Sequence, residues 1–279
     1  MPALLGLVRF AHTVFALPFA LAGALLARQE VPAPGRLGWI LLAMVGARSL
    51  AMALNRLVDA RIDALNPRTA GRELPSGRLT PQQVAVFAAA SLAALLVAVS
   101  RLPELTWYLW PIPVAGFVVY PYTKRFTWLC HVVLGAVIGM APVGAWIAVT
   151  GDVALAPLLL GAAVALWIAG FDVIYALLDL DFDRSHGIHS LPARFGPRSA
   201  LWLTRAFHAA ASALLAGAGL AVDAGAAYAL GVAACALVLV YENVTVDPGD
   251  PARIARAFGG SNMVLSILFA VFVLAEVTL

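Results

Sequence analysis

Stretches of about 20 apolar residues recur along the whole chain, and they restrict its fold more than any other feature. A helix crosses a bilayer core of about 30 Å in roughly 20 residues. No water reaches that core, so every backbone N–H and C=O must be satisfied within the spanning structure. Helices meet that demand. The 279 residues are 62% hydrophobic and 12% charged, against about 45–50% apolar and about 25% charged in an ordinary soluble domain. The apolar runs predict nine spans, at roughly 9–27, 37–58, 82–100, 105–121, 128–149, 157–178, 200–221, 224–241 and 262–278. The expected fold is an all-α integral membrane protein, a single membrane domain over residues 1–279. The first run contains His12, Thr13 and Pro18. It reads as a retained helix rather than a cleaved signal, which needs a basic start and a small-residue cleavage site.

The charges sit between the runs. Arg61, Arg68, Arg72 and Arg78 follow the second run, and Lys124 and Arg125 the fourth. Arg184, Arg194 and Arg198 follow the sixth, and Arg253 and Arg256 the eighth. The opposite loops hold only Arg28, Arg36 and Arg101. Positive loops stay cytoplasmic. This predicts a multi-pass protein of the inner (cell) membrane with a cytoplasmic N-terminus and the long loops on the cytoplasmic side. A net charge of +3 distributed this way is a topology signal, not a nucleic-acid footprint. Cys130 and Cys235 lie far apart in apolar runs and form neither a metal nor a disulfide pattern.

Two of the long loops resemble each other. The first begins with Asn55-x3-Asp59-x3-Asp63 and continues through Leu74, Pro75, Gly77 and Arg78, within 55–81. The second begins with Asp172, Tyr175, Asp179 and Asp183 and continues through Leu191, Pro192 and Arg194, within 172–199. Each follows an apolar span, ends it in spaced carboxylates, and then gives a basic Leu-Pro segment. Pseudo-repeat halves are expected, with the two acidic ends facing each other.

Carboxylates at a span's end are expensive and usually functional. At about 100° per residue, Asn55, Asp59 and Asp63 drift by about 40° per step and share one helix face. Asp172, Asp179 and Asp183 fall within about 20° of one line if their helix continues, with Tyr175 nearby and Asp181 on the far side. Such a set needs cations. Hard oxygen donors select Mg²⁺ or Ca²⁺, and Mg²⁺ bridges to phosphates. Arg72, Arg78, Lys124 and Arg125 are then the cationic groups for phosphate oxygens. A diphosphate beside an apolar environment points to a lipid diphosphate, whose C–O bond breaks more easily when the leaving charge is neutralised.

These motifs resemble the UbiA superfamily of intramembrane prenyltransferases, in its 4-hydroxybenzoate polyprenyltransferase-like branch. The resemblance rests on the two Asp motifs and on Tyr120, Tyr122, Thr123, Lys124 and Arg125 between them. His12, Phe15, Pro18 and Phe19 in the first run add to it. It implies a nine-helix bundle with a central cavity open to lipid, with Mg²⁺ binding a polyprenyl diphosphate. By position, Asp59, Asp63, Asp179 and Asp183 resemble its metal residues. Asn55, Arg72, Lys124 and Arg78 resemble its diphosphate-binding residues. Asp172 resembles a residue nearer the acceptor, and Tyr120 and Tyr175 resemble residues that assist ionisation. Arg9 resembles the partner of the acceptor's carboxylate. Two departures stand out. Ala11 precedes His12 where an acid is expected, and Ser185 and His189 stand where basic residues often follow the second motif.

The resemblance implies Mg²⁺-dependent transfer of a polyprenyl group to a small aromatic acid, 4-hydroxybenzoate or a naphthoate-type menaquinone precursor, in respiratory quinone biosynthesis. A membrane transporter for an anionic or cation-coupled solute is the competing expectation, since intramembrane carboxylates and an internal repeat suit one too. It would place its charges near the midplane, whereas these lie at span ends. His12 and His131 read as buried hydrogen-bonding residues rather than ligands. Gly135, Gly139 and Gly144 read as close helix packing.

Overall fold

The computed structural model describes residues 6, 7 and 10–279, the side chains of 10–16 and of 258 apart. Its regular structure is helical throughout. In chain order the helices are α1 (Phe10–Leu26), α2 (Pro34–Leu65), α3 (Pro81–Val99), α4 (Glu104–Leu109), α5 (Pro111–Thr123), α6 (Cys130–Thr150) and α7 (Leu155–Ala176). They continue with α8 (Leu180–Ser185), α9 (Leu191–Phe195), α10 (Pro197–Leu220), α11 (Ala226–Thr245), α12 (Pro251–Arg256) and α13 (Asn262–Thr278). A 3₁₀ turn, Leu177–Asp179, joins α7 to α8, and a π turn, Ala257–Ser261, joins α12 to α13.

Nine spans were expected. Among the described residues six helical segments are long and apolar enough to cross a membrane: Pro34–Leu65, Pro81–Val99, Cys130–Thr150, Leu155–Ser185, Ala226–Thr245 and Pro251–Thr278. The count differs for physical reasons. The run at 105–121 is divided into α4 and α5 at Pro111, since proline brings no N–H to the helix ladder. Helix α10 is 24 residues long but carries Arg198, Arg205 and His208 among its apolar residues. Of α1, the stretch Leu17–Leu26 counts as a shorter apolar helix.

The chain divides into two compact units. The first comprises Met1–Thr13 and Ala33–Tyr122. In it α2 packs on α3, so closely that a Cβ at Gly46 would lie 2.8 Å from the backbone nitrogen of Leu95. Pro81 starts α3 at a position where its missing N–H costs nothing. Thr80 and Gln83 cap that start reciprocally: the Gln83 amide donates to Thr80 Oγ1 at 3.2 Å, and the Thr80 amide to Gln83 Oε1 at 2.9 Å.

The second unit comprises Val14–Pro32 and Thr123–Leu279. Its core is aromatic and aliphatic. Phe19 lies 4.9 Å from Trp167 and 4.8 Å from Phe269, ring centre to ring centre. Lipid tails are as apolar as the helices, so association within a membrane rests on close van der Waals packing. Helices α6 and α7 show it: a Cβ at Gly139 would stand 2.3 Å from the carbonyl oxygen of Gly161, and one at Gly135 would stand 2.1 Å from that of Ala165. The packing expected at Gly135 and Gly139 is there, while Gly144 faces open space. Buried polar groups tie further helices in. Trp167 Nε1 donates to Asn262 Oδ1 at 2.6 Å, joining α7 to α13. The His208 ring lies against Gly170, and Asn243 Nδ2 lies 2.8 Å from His208 Nδ1, joining α10 to α11.

Candidate active site

The first acidic motif lies on one unbroken helix. Helix α2 is 32 residues long and carries Asn55, Asp59 and Asp63 one turn apart near its C-terminal end. The Asn55 amide donates to Asp59 Oδ2 at 2.9 Å. Asp59 is 1% exposed and Asp63 4%, depths at which a carboxylate needs charged or hydrogen-bonding company. Asp63 has Arg72: Nη1 of the guanidinium donates to both Oδ1 and Oδ2 at 2.7 Å. The loop between them is folded on itself. Asn66 caps the turn with its side-chain oxygen on the Arg68 amide at 2.9 Å, and Thr69 Oγ1 donates to the Asp63 carbonyl at 3.0 Å. Arg78 is engaged in the same loop, donating to the Gly71 carbonyl at 2.6 Å and lying 3.5 Å from Glu73 Oε1. Tyr120 stands half-buried on α5.

One residue of this unit escaped the sequence reading. Arg48 lies inside α2, seven residues before Asn55 and so within about 20° of its face. Its Nε is buried with no hydrogen-bond partner among the described residues. The available signal was a lone charge within an apolar run, the kind of residue that marks a site by default.

The second motif belongs to the other unit, and its alignment, which depended on the helix continuing, is interrupted by a change in winding. The 3₁₀ turn at Leu177–Asp179 winds at about 120° per residue rather than about 100°. Three such residues swing everything downstream by about 60°, so Asp172, Asp179 and Asp183 do not lie on one straight line. Asp172 and Tyr175 are half-buried on α7, and Asp179 is half-buried where α8 begins. Asp183 is 7% exposed and accepts from Ser190 Oγ at 2.8 Å. Asp181 is exposed, the far side on which the spacing put it.

The loop after Asp183 is anchored to the start of α6. The His189 amide donates to the Lys124 carbonyl at 2.7 Å, and Cys130 Sγ to the His189 carbonyl at 3.3 Å. His131, buried at 4% exposure, lies with Nδ1 2.6 Å from Asp172 Oδ2. Its Nε2 accepts from the Leu191 amide at 3.4 Å, which leaves Nδ1 as the donor to Asp172. His131 is a hydrogen-bonding residue, as expected, but its partner could not be read from the sequence. Lys124 is half-buried beside this loop. Arg9 lies outside the described residues.

Among the described residues no three carboxylate, histidine or cysteine groups converge closely enough to hold a metal by themselves. Mg²⁺ does not require that. It takes one or two carboxylates and fills its octahedron with waters and phosphate oxygens. The donors present fit that habit: Asp59 and Asp63 on one face beside the Asn55 amide, and Asp179 and Asp183 around a tight turn, are hard oxygens without sulfur among them.

Known proteins resemble this chain over most of its length. A profile of the UbiA prenyltransferase family matches residues 16–271. The 4-hydroxybenzoate octaprenyltransferase of Methylococcus capsulatus is 29% identical over 242 residues, 86% of this chain and 82% of that protein. That of Citrobacter koseri is 31% identical over 235 residues, 83% of this chain and 81% of the other. Among solved structures, the apo UbiA homolog from Aeropyrum pernix K1 has a TM-score of 0.87 at 36% identity, covering 95% of this chain and 98% of that one. A UbiA homolog from Archaeoglobus fulgidus bound to DMAPP and Mg²⁺ has the same fold, with a TM-score of 0.74, 21% identity and 99% of each chain covered. Motifs, fold and family profile agree over most of the chain: it is a membrane prenyltransferase and belongs to the UbiA family.

Proposed function

We propose that this protein transfers a polyprenyl group from polyprenyl diphosphate to 4-hydroxybenzoate or a closely similar aromatic acid, in respiratory quinone biosynthesis. The observation that carries the reading is the Asn55, Asp59 and Asp63 face, its two carboxylates buried, with Arg72 on Asp63. It offers hard donors for a divalent ion and, in Arg72, a cation for phosphate. The relatives named for 4-hydroxybenzoate transfer support the acceptor. The Archaeoglobus fulgidus homologs bound to DMAPP or GPP with Mg²⁺ support the donor and the metal. The transporter alternative has no support from a chain of this family.

Each motif has its part. Asp59 and Asp63 in the first unit, and Asp179 and Asp183 in the second, are the residues that would hold Mg²⁺, which would neutralise the charge that the diphosphate gains as its C–O bond breaks. Arg72, Lys124, Arg78 and Asn55 bind diphosphate oxygens. The allylic C–O bond breaks with its electron pair going to the diphosphate, and the aromatic rings of Tyr120 in the first unit and Tyr175 in the second are the groups that would stabilise an allylic cation. A ring carbon of the acceptor then forms the new C–C bond, and the proton on that carbon leaves. Asp172, oriented by His131, is the base for it. Exclusion of water by the membrane protects the cation from quenching. Arg9 is the proposed partner of the acceptor's carboxylate, and Arg48, whose Nε on the Asn55 face of α2 has no hydrogen-bond partner among the described residues, is a second cation for it. The active site opens on the cytoplasmic side of the inner membrane, where the arginine-rich loops lie.

Competition between acceptors tests the reading. With geranyl diphosphate and Mg²⁺, purified protein given equal 4-hydroxybenzoate and a dihydroxynaphthoate should prenylate the benzoate preferentially. Exclusive prenylation of the naphthoate would move the enzyme to the menaquinone route.

A further inference from the structure

Within the second unit, the start of α10 carries a feature that the transfer reaction does not use. Arg205 lies eight residues after Pro197, about 12 Å along the helix axis, within the run first assigned to the membrane. It is exposed, and its guanidinium carbon sits 4.5 Å from the ring centre of Trp202. Trp202 is 67% exposed, and Arg198 stands one turn before it on the same helix. Among the described residues no carboxylate pairs with Arg194, Arg198 or Arg205. A charged side chain held against an apolar helix surface is costly to leave without a partner. Stacking on an aromatic face offsets only part of that cost.

Beside these arginines lies an open groove of about 530 Å³, lined by Trp128, Phe195, Ser199, Trp202 and Leu203. Phe195 meets Trp128 edge to face at 5.2 Å between ring centres. The groove is almost wholly apolar. It is built where α9 ends and where α6 and α10 begin, at the same end of this unit as Asp183. Exposed tryptophans at helix ends mark headgroup depth. Positive charge at that depth next to an open apolar groove fits one ligand chemistry: a phosphodiester that carries hydrocarbon.

We infer that this surface is a binding site for an anionic diacyl phospholipid. Its phosphate rests between Arg198 and Arg205, and an acyl chain lies along the groove over Trp202. A zwitterionic lipid offers the same phosphate but brings a cationic headgroup into a cluster that already holds Arg194, Arg198 and Arg205. The site therefore selects lipids of net negative charge, and it does so independently of the prenyl-transfer reading.

Native mass spectrometry of the purified full chain, given equal phosphatidylglycerol and phosphatidylcholine, tests the inference. One phosphatidylglycerol per chain should be retained in preference, on the order of tenfold or more. An Arg198→Gln/Arg205→Gln variant should lose the preference, whereas Arg256→Gln, which removes a charge elsewhere in this unit, should keep it. A second measurement does not depend on those variants folding. In vesicles, brominated phosphatidylglycerol should quench wild-type fluorescence more than brominated phosphatidylcholine does, and Trp202→Phe should reduce that difference, Trp128 on the same groove carrying the rest. Equal retention of the two lipids, a double variant that keeps the preference, an Arg256→Gln variant that loses it, or quenching unchanged by Trp202→Phe would each overturn the site.

Discussion

His131 holds Asp172 through a 2.6 Å contact between Nδ1 and Oδ2, across 41 residues of sequence. The imidazole is itself fixed on its other side by the Leu191 amide. The carboxylate of Asp172 is thus aimed by a buried ring rather than left to solvent, and its remaining oxygen is directed by that geometry. Replacing His131 by Ala should leave the prenyl diphosphate KM nearly unchanged and lower kcat by about 10–100-fold, the worth of one hydrogen bond to a charged group. His131→Asn, which can keep a donor toward Asp172, should recover part of the loss. Steady-state kinetics in each substrate would check this. Equal loss in both variants with a raised prenyl diphosphate KM would point to a structural role.

The buried acidic face of α2 gives a sharper outcome. Asp59→Asn keeps the shape and the Asn55 neighbour but removes the charge. Turnover should fall by at least about 100-fold, with the purified protein's melting temperature unchanged or raised, since an ionised buried carboxylate is costly. Asp179→Asn, in the other unit, should behave alike. Turnover near wild type in both would remove the metal-binding role from these residues.

Substitution of Arg48 distinguishes acceptor binding from donor binding. Arg48→Gln should raise the KM for 4-hydroxybenzoate by about 10–100-fold, as expected for losing a charge-assisted contact with a carboxylate. The KM for the prenyl diphosphate should stay within about twofold by the same reasoning. An acceptor without a carboxylate, such as phenol, should be used equally by wild type and variant. Loss of affinity for both substrates would place Arg48 on the diphosphate instead.

Close packing of α6 on α7 makes a stability prediction. A side chain at Gly139 would meet the Gly161 carbonyl at 2.3 Å, whereas one at Gly144 would meet nothing within 4 Å. Gly139→Val should cost about 1–3 kcal/mol or more, because backbone has to move. Gly144→Ala should be neutral or slightly stabilising, as alanine is the better helix former. Thermal denaturation followed by size-exclusion chromatography would rank the two. Equal melting temperatures would mean that the α6–α7 contact is looser than described.

What the sequence disclosed depended on how local each feature was. Asn55, Asp59 and Asp63 share a face because α2 runs unbroken through them, and spacing alone conveys that. The second motif hid its bend because nothing in Leu177, Leu178 and Asp179 marks a 3₁₀ turn over an α turn. Proline at 111 was visible, yet its run read as one span because hydropathy ignores backbone N–H groups. Arg48 was also in plain view, masked by the apolar residues around it. The pairing of His131 with Asp172 is tertiary and joins segments that no periodicity connects, and that of Ser190 with Asp183 closes a short loop whose path spacing does not convey. Arg72 read as a phosphate ligand and is found on Asp63. Both follow from one property, a planar cation that suits carboxylate and phosphate alike.

The central claim is metal-dependent transfer of a prenyl group to an aromatic acid, and mass spectrometry of the reaction products tests it most directly. Detergent-purified protein given geranyl diphosphate, 4-hydroxybenzoate and Mg²⁺ should form a ring-geranylated acid and release one diphosphate for each product molecule, with none of either when EDTA replaces the metal. Product formation undiminished by EDTA, or diphosphate released in Mg²⁺ with no prenylated acid, would contradict the account.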